Sequence, residues 1–491
     1  MKYFIGADLG TSSLKLLLCS QNGNAVASVS KEYAVQYPHP GWSEQNPADW
    51  WDAFVRGVRE LICGFDAADI VAIGVAGQMH GLVLLDNTDE VIRPTILWND
   101  GRTQKETDYL NDTVGRETLT RLTANIAFAG FTAPKILWVK ENEPHNFARI
   151  DKIMLPKDYI NYKLTGIHAC DYSDASGMLL LDVENKCWST QMADLCGISL
   201  HQLPRLYESF SPIGTLLPQI AQTLGLSQST VVAAGAGDNA GAAIGMGTFG
   251  NGKCNISLGT SGTVFVSSEQ FACDPEQALH YFCHADGNYH IMGCILSAAS
   301  CNKWFCDEVL RTENYIQLQK NIDEKMLGNN NVYFLPYLMG ERSPINDTNA
   351  TGSFIGLRPN TTAEDMLLAI FEGVCFAIRD NIEIIRKMGI QVREATVCGG
   401  GARSPLWLKI LANILGITLS VPNNEEGPAL GAAHLAALAV GAYPDANALP
   451  KPTEKQRILP DEALTRAYDE KYQRFQKIYP ALKNLYKELK E

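Results

Sequence analysis

A hairpin-like pattern occurs twice in this chain and restricts its fold more than any other feature. The first copy starts at Gly6 and reads GADLGTSSLKLLLCSQNG, and the second starts at Asn255 and reads NISLGTSGTVFVSS. In each copy an apolar strand leads through a Leu-Gly-Thr-Ser turn into a second apolar strand. Glycine and small hydroxyl residues let backbone N–H groups and side-chain hydroxyls approach a phosphate closely. The repeat therefore predicts two similar domains facing each other across one nucleotide. Two ordinary hairpins with a chance match are the alternative.

The two copies differ at a position that carries chemistry. When the turns are aligned, Asp8 stands opposite Ser257, so only the first copy has a carboxylate at the end of its strand. Mg²⁺ is usually held by one or two carboxylates, with water and phosphate oxygens as its other ligands. The asymmetry predicts that Mg²⁺ is bound from the side of the first turn, through Asp8.

Length and charge restrict the class of protein. A chain of 491 residues is too long for one core, and two domains of roughly 200–250 residues are expected. The net charge of −13, with no basic block to offset it, argues against nucleic acid or an anionic membrane as partner. A strand begins almost at the N-terminus, and the 13 cysteines are scattered without a C-x-x-C pair. We therefore expect no signal peptide, reduced thiols and a cytoplasmic location.

The pattern of apolar residues predicts a mixed α/β chain in two halves. Asn46 and Pro47 mark the start of a helix, which would bury Trp50, Phe54, Val58 and Ile62. A Gly-rich hinge is expected at 235–252, and the tail after about residue 450 is expected to be a solvated helix. The other predicted segments are strands at 3–7, 14–19, 25–35, 70–76, 231–234 and 395–398, and helices at 363–387 and 405–415.

Asp238 is the candidate catalytic base. It stands where the strand at 231–234 meets a helix of small residues, in the segment GAGDNAGAAIG. The dipole of that helix favours the ionised carboxylate, and the small residues allow a ligand to approach. Taken alone, Asp238 would be a simple helix cap. In a chain with two phosphate-type turns, it becomes a candidate for accepting the proton of a substrate hydroxyl.

Two further glycine-rich segments are candidate binding sites. Gln78, Met79 and His80 lie between two predicted strands and are flanked by glycines, an arrangement that can present an amide and an imidazole to a polyol. A structural role is the alternative for a lone histidine. Trp98 supplies an aromatic face near several polar residues, which suits sugar recognition. The loop at 399–404, which follows a strand, allows close approach of a nucleoside.

Two long segments carry a resemblance to a known family. One is GFTAPKILWVKEN at 130–142, and the other is GSFIGLRPNTTAEDMLLAIFE at 352–372. Together with PGWSEQ at 40–45, GQMHGLV at 77–83 and ILWND at 96–100, they resemble the FGGY family of carbohydrate kinases over about residues 1–445. The resemblance implies an α/β, actin-like (ribonuclease-H-like) ATPase fold with two similar domains and a cleft between them. The expected boundaries are 1–248, 249–445 and a C-terminal helical tail at 446–491.

The resemblance also implies roles for individual residues. Asp238 would be the base, and the metal would lie near Asp8 and Asp238. The sugar would contact Gln78, Met79, His80, Trp98, Asp238 and Asn239. The phosphates and adenosine of ATP would be held by Thr11, Ser12, Ser13, Gly259, Thr260, Ser261, Gly400, Gly401 and Ser404.

The implied reaction is transfer of the γ-phosphoryl group of ATP, with Mg²⁺, to D-xylulose. Another sugar or polyol, such as ribulose, gluconate or glycerol, is an alternative, and so is a non-kinase ATPase of the same fold. A homodimer is compatible with the sequence. The GQMHG turn and the segment around Asp238 argue against the plain ATPase, because a plain ATPase needs no polyol site.

Overall fold

The computed structural model describes residues 1–274, 276–423 and 426–489. Its strands are β1 Tyr3–Leu9, β2 Ser13–Ser20, β3 Ala25–Glu32, β4 Glu44–Gln45, β5 Ile70–Gly77, β6 Val83–Leu85, β7 Thr95–Ile96, β8 Lys152–Met154, β9 Ala169–Asp171, β10 Leu181–Asp182, β11 Cys187–Trp188, β12 Arg205–Tyr207, β13 Pro212–Thr215, β14 Val231–Ala233, β15 Ala236–Gly237, β16 Cys254–Leu258, β17 Gly262–Ser268, β18 His280–Cys283, β19 Tyr289–Ile295, β20 Tyr333–Leu335, β21 Ser353–Ile355, β22 Glu394–Cys398, β23 Thr418–Pro422 and β24 Glu454–Ile458.

The α-helices alternate with these strands. They are α1 Pro47–Leu61, α2 Gln104–Asp108, α3 Arg116–Thr123, α4 Thr132–Asn142, α5 Pro144–Phe147, α6 Pro156–Thr165, α7 Tyr172–Ala175, α8 Thr190–Cys196, α9 Pro218–Leu224, α10 Asp238–Gly245, α11 Ala299–Trp304, α12 Tyr315–Asn321, α13 Ala363–Lys387, α14 Pro405–Leu415, α15 Gly427–Ala439, α16 Glu462–Phe475 and α17 Ile478–Glu488. No helix in the described ranges is long and apolar enough to cross a membrane.

Two large sheets share one strand order, which confirms the predicted duplication. The first runs β13-β14-β5-β1-β2-β3, with β15 continuing the contact to β5. The second, written in the matching direction, runs β24-β23-β22-β16-β17-β19, and β18 is added beyond β19. In each sheet the repeated hairpin is antiparallel (β1 with β2, and β16 with β17), and its first strand pairs in parallel with a later strand (β5 or β22). The two Leu-Gly-Thr-Ser turns therefore occupy equivalent places at the ends of equivalent hairpins.

Helix α1 covers one face of the first sheet much as its sequence predicts. The side chain of Asn46 accepts a hydrogen bond from the Ala48 amide and caps the helix, and Pro47 is its first residue. Trp50, Phe54 and Val58 are buried against the apolar residues of β1 and β2. Ile62 lies one residue beyond the end of the helix at Leu61, where it is half-buried and packs against the same core.

The other face of the first sheet is covered by α15, a helix from the second half of the chain. Its alanines form a core with Phe4, Leu17 and Ala72. The contact is close because β1 and β5 carry glycines there: a Cβ added to Gly6 would lie 1.9 Å from the Ala429 carbonyl oxygen, and one added to Gly74 would lie 2.1 Å from that of Ala432. The two halves therefore share a core.

Helix α10 crosses α15 through small residues on both sides. A Cβ added to Gly431 would lie 1.8 Å from the carbonyl oxygen of Gly241, and one added to Gly245 would lie 2.4 Å from that of Gly427. Side chains at these positions would prevent the two backbones from approaching so closely. The segment predicted as a hinge at 235–252 therefore contains a helix, α10, that is packed tightly against the second half.

The C-terminal tail differs from the predicted solvated helix. It contributes an edge strand, β24, which pairs with β23, and two helices. Tyr468, Tyr472 and Phe475 of α16 are buried against Phe376 of α13, and Lys471 forms a buried ion pair of 2.5 Å with Glu372. The prediction was wrong because α16 has an apolar face hidden among its charged residues. The last two residues of the predicted tail, 490 and 491, lie outside the described ranges.

Candidate active site

The first phosphate-type turn is fixed by hydrogen bonds to its backbone and to one hydroxyl. The Gly10 amide bonds to the Ser13 carbonyl across the turn, and the Tyr33 hydroxyl donates to the Gly10 carbonyl. The indole of Trp98 donates to the Thr11 hydroxyl at 3.0 Å. Ser12 is exposed at the tip of the turn. The hydroxyls of Ser12 and Ser13 form no hydrogen bond within the described ranges, so both are available to a ligand.

Asp238 is the first residue of α10, as predicted, but the strand directly before it is the short β15 rather than the predicted strand at 231–234, which corresponds to β14. Its Oδ1 accepts bonds from the Asn239 amide at 2.7 Å and from the Asn239 side chain at 2.9 Å. No residue of the described ranges bonds to Oδ2, so that oxygen can accept a proton from a substrate. Burial raises the pKa of Asp238 to about 6, against the effect of the two Asn239 bonds. The arrangement gives a carboxylate held by one oxygen and free at the other.

Asp8 and Asp238 lie close enough to repel one another. Burial, and then the charge of Asp238, raise the pKa of Asp8 to about 7, while Lys15 lowers it. A divalent cation near both carboxylates would remove this repulsion, and two carboxylates with otherwise open coordination suit Mg²⁺. No group of three or more His, Cys, Asp or Glu side chains in the described ranges could hold a metal by itself. The donor set therefore fits a metal that keeps water and phosphate ligands.

His80 is held in one tautomer at the turn after β5. Its Nδ1 lies 2.7 Å from the Gly177 carbonyl oxygen, so Nδ1 carries the hydrogen and Nε2 is left as an acceptor. The ring stacks on Phe131 at 4.6 Å. Burial, followed by the nearby cation of Lys135, lowers the pKa of His80 to about 3. A neutral imidazole with a free acceptor nitrogen can take a hydrogen bond from a sugar hydroxyl.

The neighbours of His80 in the turn have different roles. Met79 is buried against Gly237, where a Cβ would lie 2.9 Å from its Cγ, so it packs directly beside the Asp238 segment. Gln78 is also buried, and its Nε2 donates to the Gln45 side chain at 3.0 Å. The Oε1 of Gln78 has no hydrogen-bond partner in the described part of the chain. The side chain of Gln78 is therefore tied to the protein interior through its amide nitrogen alone, and its buried amide oxygen is left without a partner among the described residues.

The second turn and the glycine loop lie side by side. A Cβ added to Gly399 would lie 2.8 Å from the Leu258 backbone, because β16 and β22 run in parallel and end together. Thr260 and Ser261 are exposed, and a Cβ at Gly400 would meet no described residue within 4 Å. This loop is open to a ligand at the point where the turn can hold its phosphates.

Ser404 lies at the end of that loop but has structural partners. Its hydroxyl caps α14 by accepting from the Trp407 amide, and it lies 2.7 Å from the side-chain oxygen of Gln319. Gly401 is buried against Leu258. These two residues shape the predicted adenosine site from behind, whereas Gly400 is exposed.

A buried polar network behind Asp238 was not found from the sequence. The Gly237 amide donates to the Ser173 hydroxyl at 3.2 Å, and that hydroxyl donates to Asp171 at 2.5 Å. Asp171 also pairs with Lys157, which is fully buried and pairs with Asp158 as well. The network fixes the backbone immediately before the candidate base. Its residues lie far apart in the sequence and form no motif, so only the fold shows that they meet.

The two equivalent sheets, the shared helix crossing and the carboxylates beside the phosphate-type turns define a class. This is a two-domain enzyme of the actin-like, ribonuclease-H-like fold. The N-terminal and C-terminal domain models of the FGGY family of carbohydrate kinases match residues 3–245 and 254–440. The chain therefore belongs to the FGGY family of carbohydrate kinases, and it is an ATP-dependent sugar kinase.

Individual relatives agree with this family. The chain is 41% identical to a xylulose kinase of Escherichia coli (strain K12), covering 98% of this chain and 99% of that protein. Among solved structures, a "xyloylose kinase" from Brucella ovis is similar with a TM-score of 0.94 and 42% identity, covering 98% of this chain and 100% of the other. A gluconate kinase from Lactobacillus acidophilus has a TM-score of 0.93 at 27% identity, with 99% of each chain covered.

Proposed function

We propose that this chain transfers the γ-phosphoryl group of ATP to the C5 hydroxyl of D-xylulose and forms D-xylulose 5-phosphate, a reaction of xylose metabolism. The observation that carries the proposal is the 41% identity to the Escherichia coli xylulose kinase over 98% of the chain. The gluconate kinase from Lactobacillus acidophilus has nearly the same fold at lower identity. The fold alone therefore does not determine which sugar is phosphorylated. Gluconate, ribulose and glycerol are the alternative substrates to D-xylulose.

Asp238 is the proposed base for the sugar hydroxyl. An alcohol does not lose its proton readily before the new P–O bond forms, so a carboxylate must orient the hydroxyl and take the proton as that bond forms. The free Oδ2 of Asp238 is suited to this task, because Asn239 holds the other oxygen. The network through Ser173 and Gly237 keeps the carboxylate in place. The transition state of phosphoryl transfer is loose, so correct orientation of the sugar hydroxyl matters more than a strongly basic carboxylate.

The phosphates are proposed to lie between the two turns. Thr11, Ser12 and Ser13 on the first turn, and Gly259, Thr260 and Ser261 on the second, offer hydroxyls and backbone amides to phosphate oxygens. Mg²⁺, when bound, supplies positive charge that offsets the charge on the phosphate oxygens. Asp8 and Asp238 are the residues proposed to hold it. Gly400 and Gly401, with Ser404 behind them, are proposed to lie along the adenosine.

The proposed sugar pocket lies between Asp238 and the turn after β5. His80 offers its neutral Nε2 to a hydroxyl, and Met79 packs between that turn and Gly237. Trp98, which is 45% exposed, connects the pocket to the phosphates through its bond to Thr11. All 13 cysteines are free thiols in the structure, which supports the proposal of a reducing, cytoplasmic location. The proposed domain boundaries remain 1–248, 249–445 and 446–491.

A panel of sugars in a coupled ADP-release assay tests the substrate. D-xylulose should give the highest kcat/KM among D-xylulose, D-ribulose, L-ribulose, gluconate and glycerol. A clear preference for another member would refute the substrate proposal while leaving the family unaffected.

The substitution Asp238→Ala tests the base. We expect kcat with D-xylulose to fall roughly a thousandfold or more, because the proton acceptor is removed. Sugar binding, measured by calorimetry, should change little by comparison. A variant that keeps a tenth of the wild-type kcat would show that Asp238 is not the base.

A further inference from the structure

Arg342 lies on a segment of the second half that is tied to the end of β19. The Glu341 carboxylate accepts bonds from the Leu296 and Arg342 amides, each at 2.8 Å. The Ser343 amide donates to the Cys294 carbonyl at 2.9 Å. These three bonds hold Arg342 between two anchored neighbours, so its backbone position is well defined. It is absent from both phosphate-type turns and from every motif used above.

The guanidinium of Arg342 reaches residues of the first half. It lies 5.0 Å from the ring centroid of Phe128, and Phe128 lies 5.4 Å from Phe131, the ring on which His80 stacks. Burial lowers the pKa of His80, and the cations of Lys135 and then Arg342 lower it further. Arg342 therefore lies against the aromatic cluster on which His80 packs, and it comes from the other half of the chain.

The side chain of Arg342 is half-buried, hydrogen-bonds to Cys294 and lowers the pKa of the neighbouring Glu341 against the effect of burial. It forms no ion pair with any Asp or Glu of residues 1–274, 276–423 and 426–489, and in particular none with Asp238. Both groups nevertheless act on one thiol: burial raises the pKa of Cys294, Arg342 opposes that rise, and Glu341 and, more weakly, Asp238 add to it. Arg342 and Asp238 thus lie within electrostatic range of the same side chain, although they belong to different halves of the chain.

We propose that Arg342 is a specificity-determining residue that donates two hydrogen bonds to the hydroxyketone end of the sugar, at O1 and O2. This inference rests on the proposed function. With the C5 hydroxyl at Asp238, the opposite end of a pentulose points away from the base and toward the remaining polar groups of the pocket. A ketone oxygen only accepts hydrogen bonds, and a guanidinium only donates them. The planar fork of an arginine can reach two adjacent oxygens at once.

His80 and Arg342 would then divide the recognition of the sugar. Neutral His80 accepts a hydrogen bond from a hydroxyl through Nε2, whereas the guanidinium of Arg342 supplies donors for the ketone and the adjacent oxygen. Because the two residues come from different halves of the chain, the sugar would form both sets of hydrogen bonds only when the two halves enclose it. Arg342 would thus recognise the O1 and O2 end of the sugar, which is not the end that is phosphorylated.

The test uses Arg342→Met, which keeps an apolar stem of similar length and removes every donor, and Arg342→Lys, which keeps the charge but not the fork. Arg466→Ala is the matched control, because Arg466 is 72% exposed on α16 and its loss removes the same charge. Kinetics are measured for full-length protein with D-xylulose and with 1-deoxy-D-xylulose, which lacks O1. Thermal melting and ATP binding confirm that each variant is folded.

We expect Arg342→Met to raise KM for D-xylulose roughly 10- to 100-fold with kcat within about threefold of wild type. The KM of Arg342→Lys for D-xylulose should lie closer to that of Arg342→Met than to that of the wild type on a logarithmic scale. Arg466→Ala should have the kinetic constants of the wild type. Loss of O1 should lower kcat/KM about tenfold in the wild type and hardly at all in Arg342→Met, because the contact is already gone.

Three results would overturn the inference while the wild type still phosphorylates D-xylulose. The first is an unchanged KM in Arg342→Met. The second is an equal decrease in kcat/KM for the missing O1 in the wild type and in Arg342→Met. The third is a loss of sugar-free ATP hydrolysis in Arg342→Met that is as large as its loss of kcat/KM with D-xylulose. The last would place Arg342 at the phosphates instead. A wild type that is inactive on D-xylulose but active on another sugar would refute the proposed function, which is a distinguishable outcome.

Discussion

The crossing of α10 and α15 makes a sharp prediction for Gly431→Ala. The new Cβ would lie 1.8 Å from the Gly241 carbonyl oxygen, whereas real Cβ atoms essentially never approach an atom within 3.0 Å. The two helices must therefore separate by at least about 1.2 Å. Helix α15 cannot easily retreat, because Gly6 and Gly74 hold its other side against the first sheet. Most of the displacement should therefore fall on α10.

Helix α10 begins at Asp238, so this displacement reaches the candidate base. A misplacement of about 1 Å at a reacting group can cost on the order of 100-fold in rate. Overpacking a closely fitted contact costs about 1–3 kcal/mol of stability, and the greater helix propensity of alanine offsets up to about 1 kcal/mol of that. We expect Gly431→Ala to lower kcat roughly 100-fold and to destabilise the protein by about 1–2 kcal/mol.

Gly427→Ala is the matched control on the same helix. Among the described residues its Cβ would meet only Ala242, at an ordinary 3.8 Å, so it changes backbone propensity without forcing the helices apart. Coupled ADP-release kinetics and urea denaturation are measured for both variants. If Gly431→Ala kept half of the wild-type kcat with an unchanged free energy of unfolding, the close crossing would not position the base. Equal effects from both variants would trace the loss to the helix itself.

Three other substitutions test the site and its surroundings. His80→Ala should cost about 1–3 kcal/mol in kcat/KM for D-xylulose and leave sugar-free ATP hydrolysis nearly unchanged; equal losses in both would move His80 out of the sugar pocket. Asp8→Asn should raise the Mg²⁺ concentration needed for half-maximal rate, with partial recovery at high Mg²⁺, and an unaltered Mg²⁺ dependence would contradict the assignment. Burial raises the pKa of Asp380 to about 7, against the effect of the hydrogen bond from the Tyr472 hydroxyl. Asp380 therefore stays protonated in the folded protein at low pH, and the free energy of unfolding falls as the pH rises through about 7 and the buried carboxyl becomes charged. Asp380→Asn should therefore gain free energy of unfolding relative to wild type between pH 5 and 8, as measured by urea denaturation, and a difference that does not change with pH would refute this.

Local signals predicted the regular elements well. Helix α13 starts and ends where its sequence indicates, because Thr362 and Asp365 form a capping box at its start. Helix α14 begins at Pro405 after the Ser404 cap, again as predicted. Apolar runs and a Gly-Thr-Ser turn were enough to predict both hairpins. These features depend on residues a few positions apart, which is the range over which a sequence pattern carries information.

Features that depend on distant residues were not predicted. Strand β24 has mostly exposed side chains, because it is an edge strand, so it shows no apolar alternation. The placement of Ser173 under Gly237 and of Arg342 beside Phe128 arises only when separate segments meet. The site residues named from the sequence lie at or after the ends of β1, β5, β7, β15, β16 and β22, but their roles remain predictions that the experiments above decide.

Because α15 completes the first sheet, the first half of this chain is not an independent folding unit. During synthesis, β1 through α10 emerge long before residues 427–439 exist, and until then the face bearing Phe4, Leu17 and Ala72 has no cover. Contacts between such distant segments carry a large entropic cost of chain closure and slow the final step of folding. A fragment ending at 248 would therefore expose an apolar sheet face and be prone to aggregation. The boundary at which the sequence repeats is thus not the boundary at which the protein can be cut.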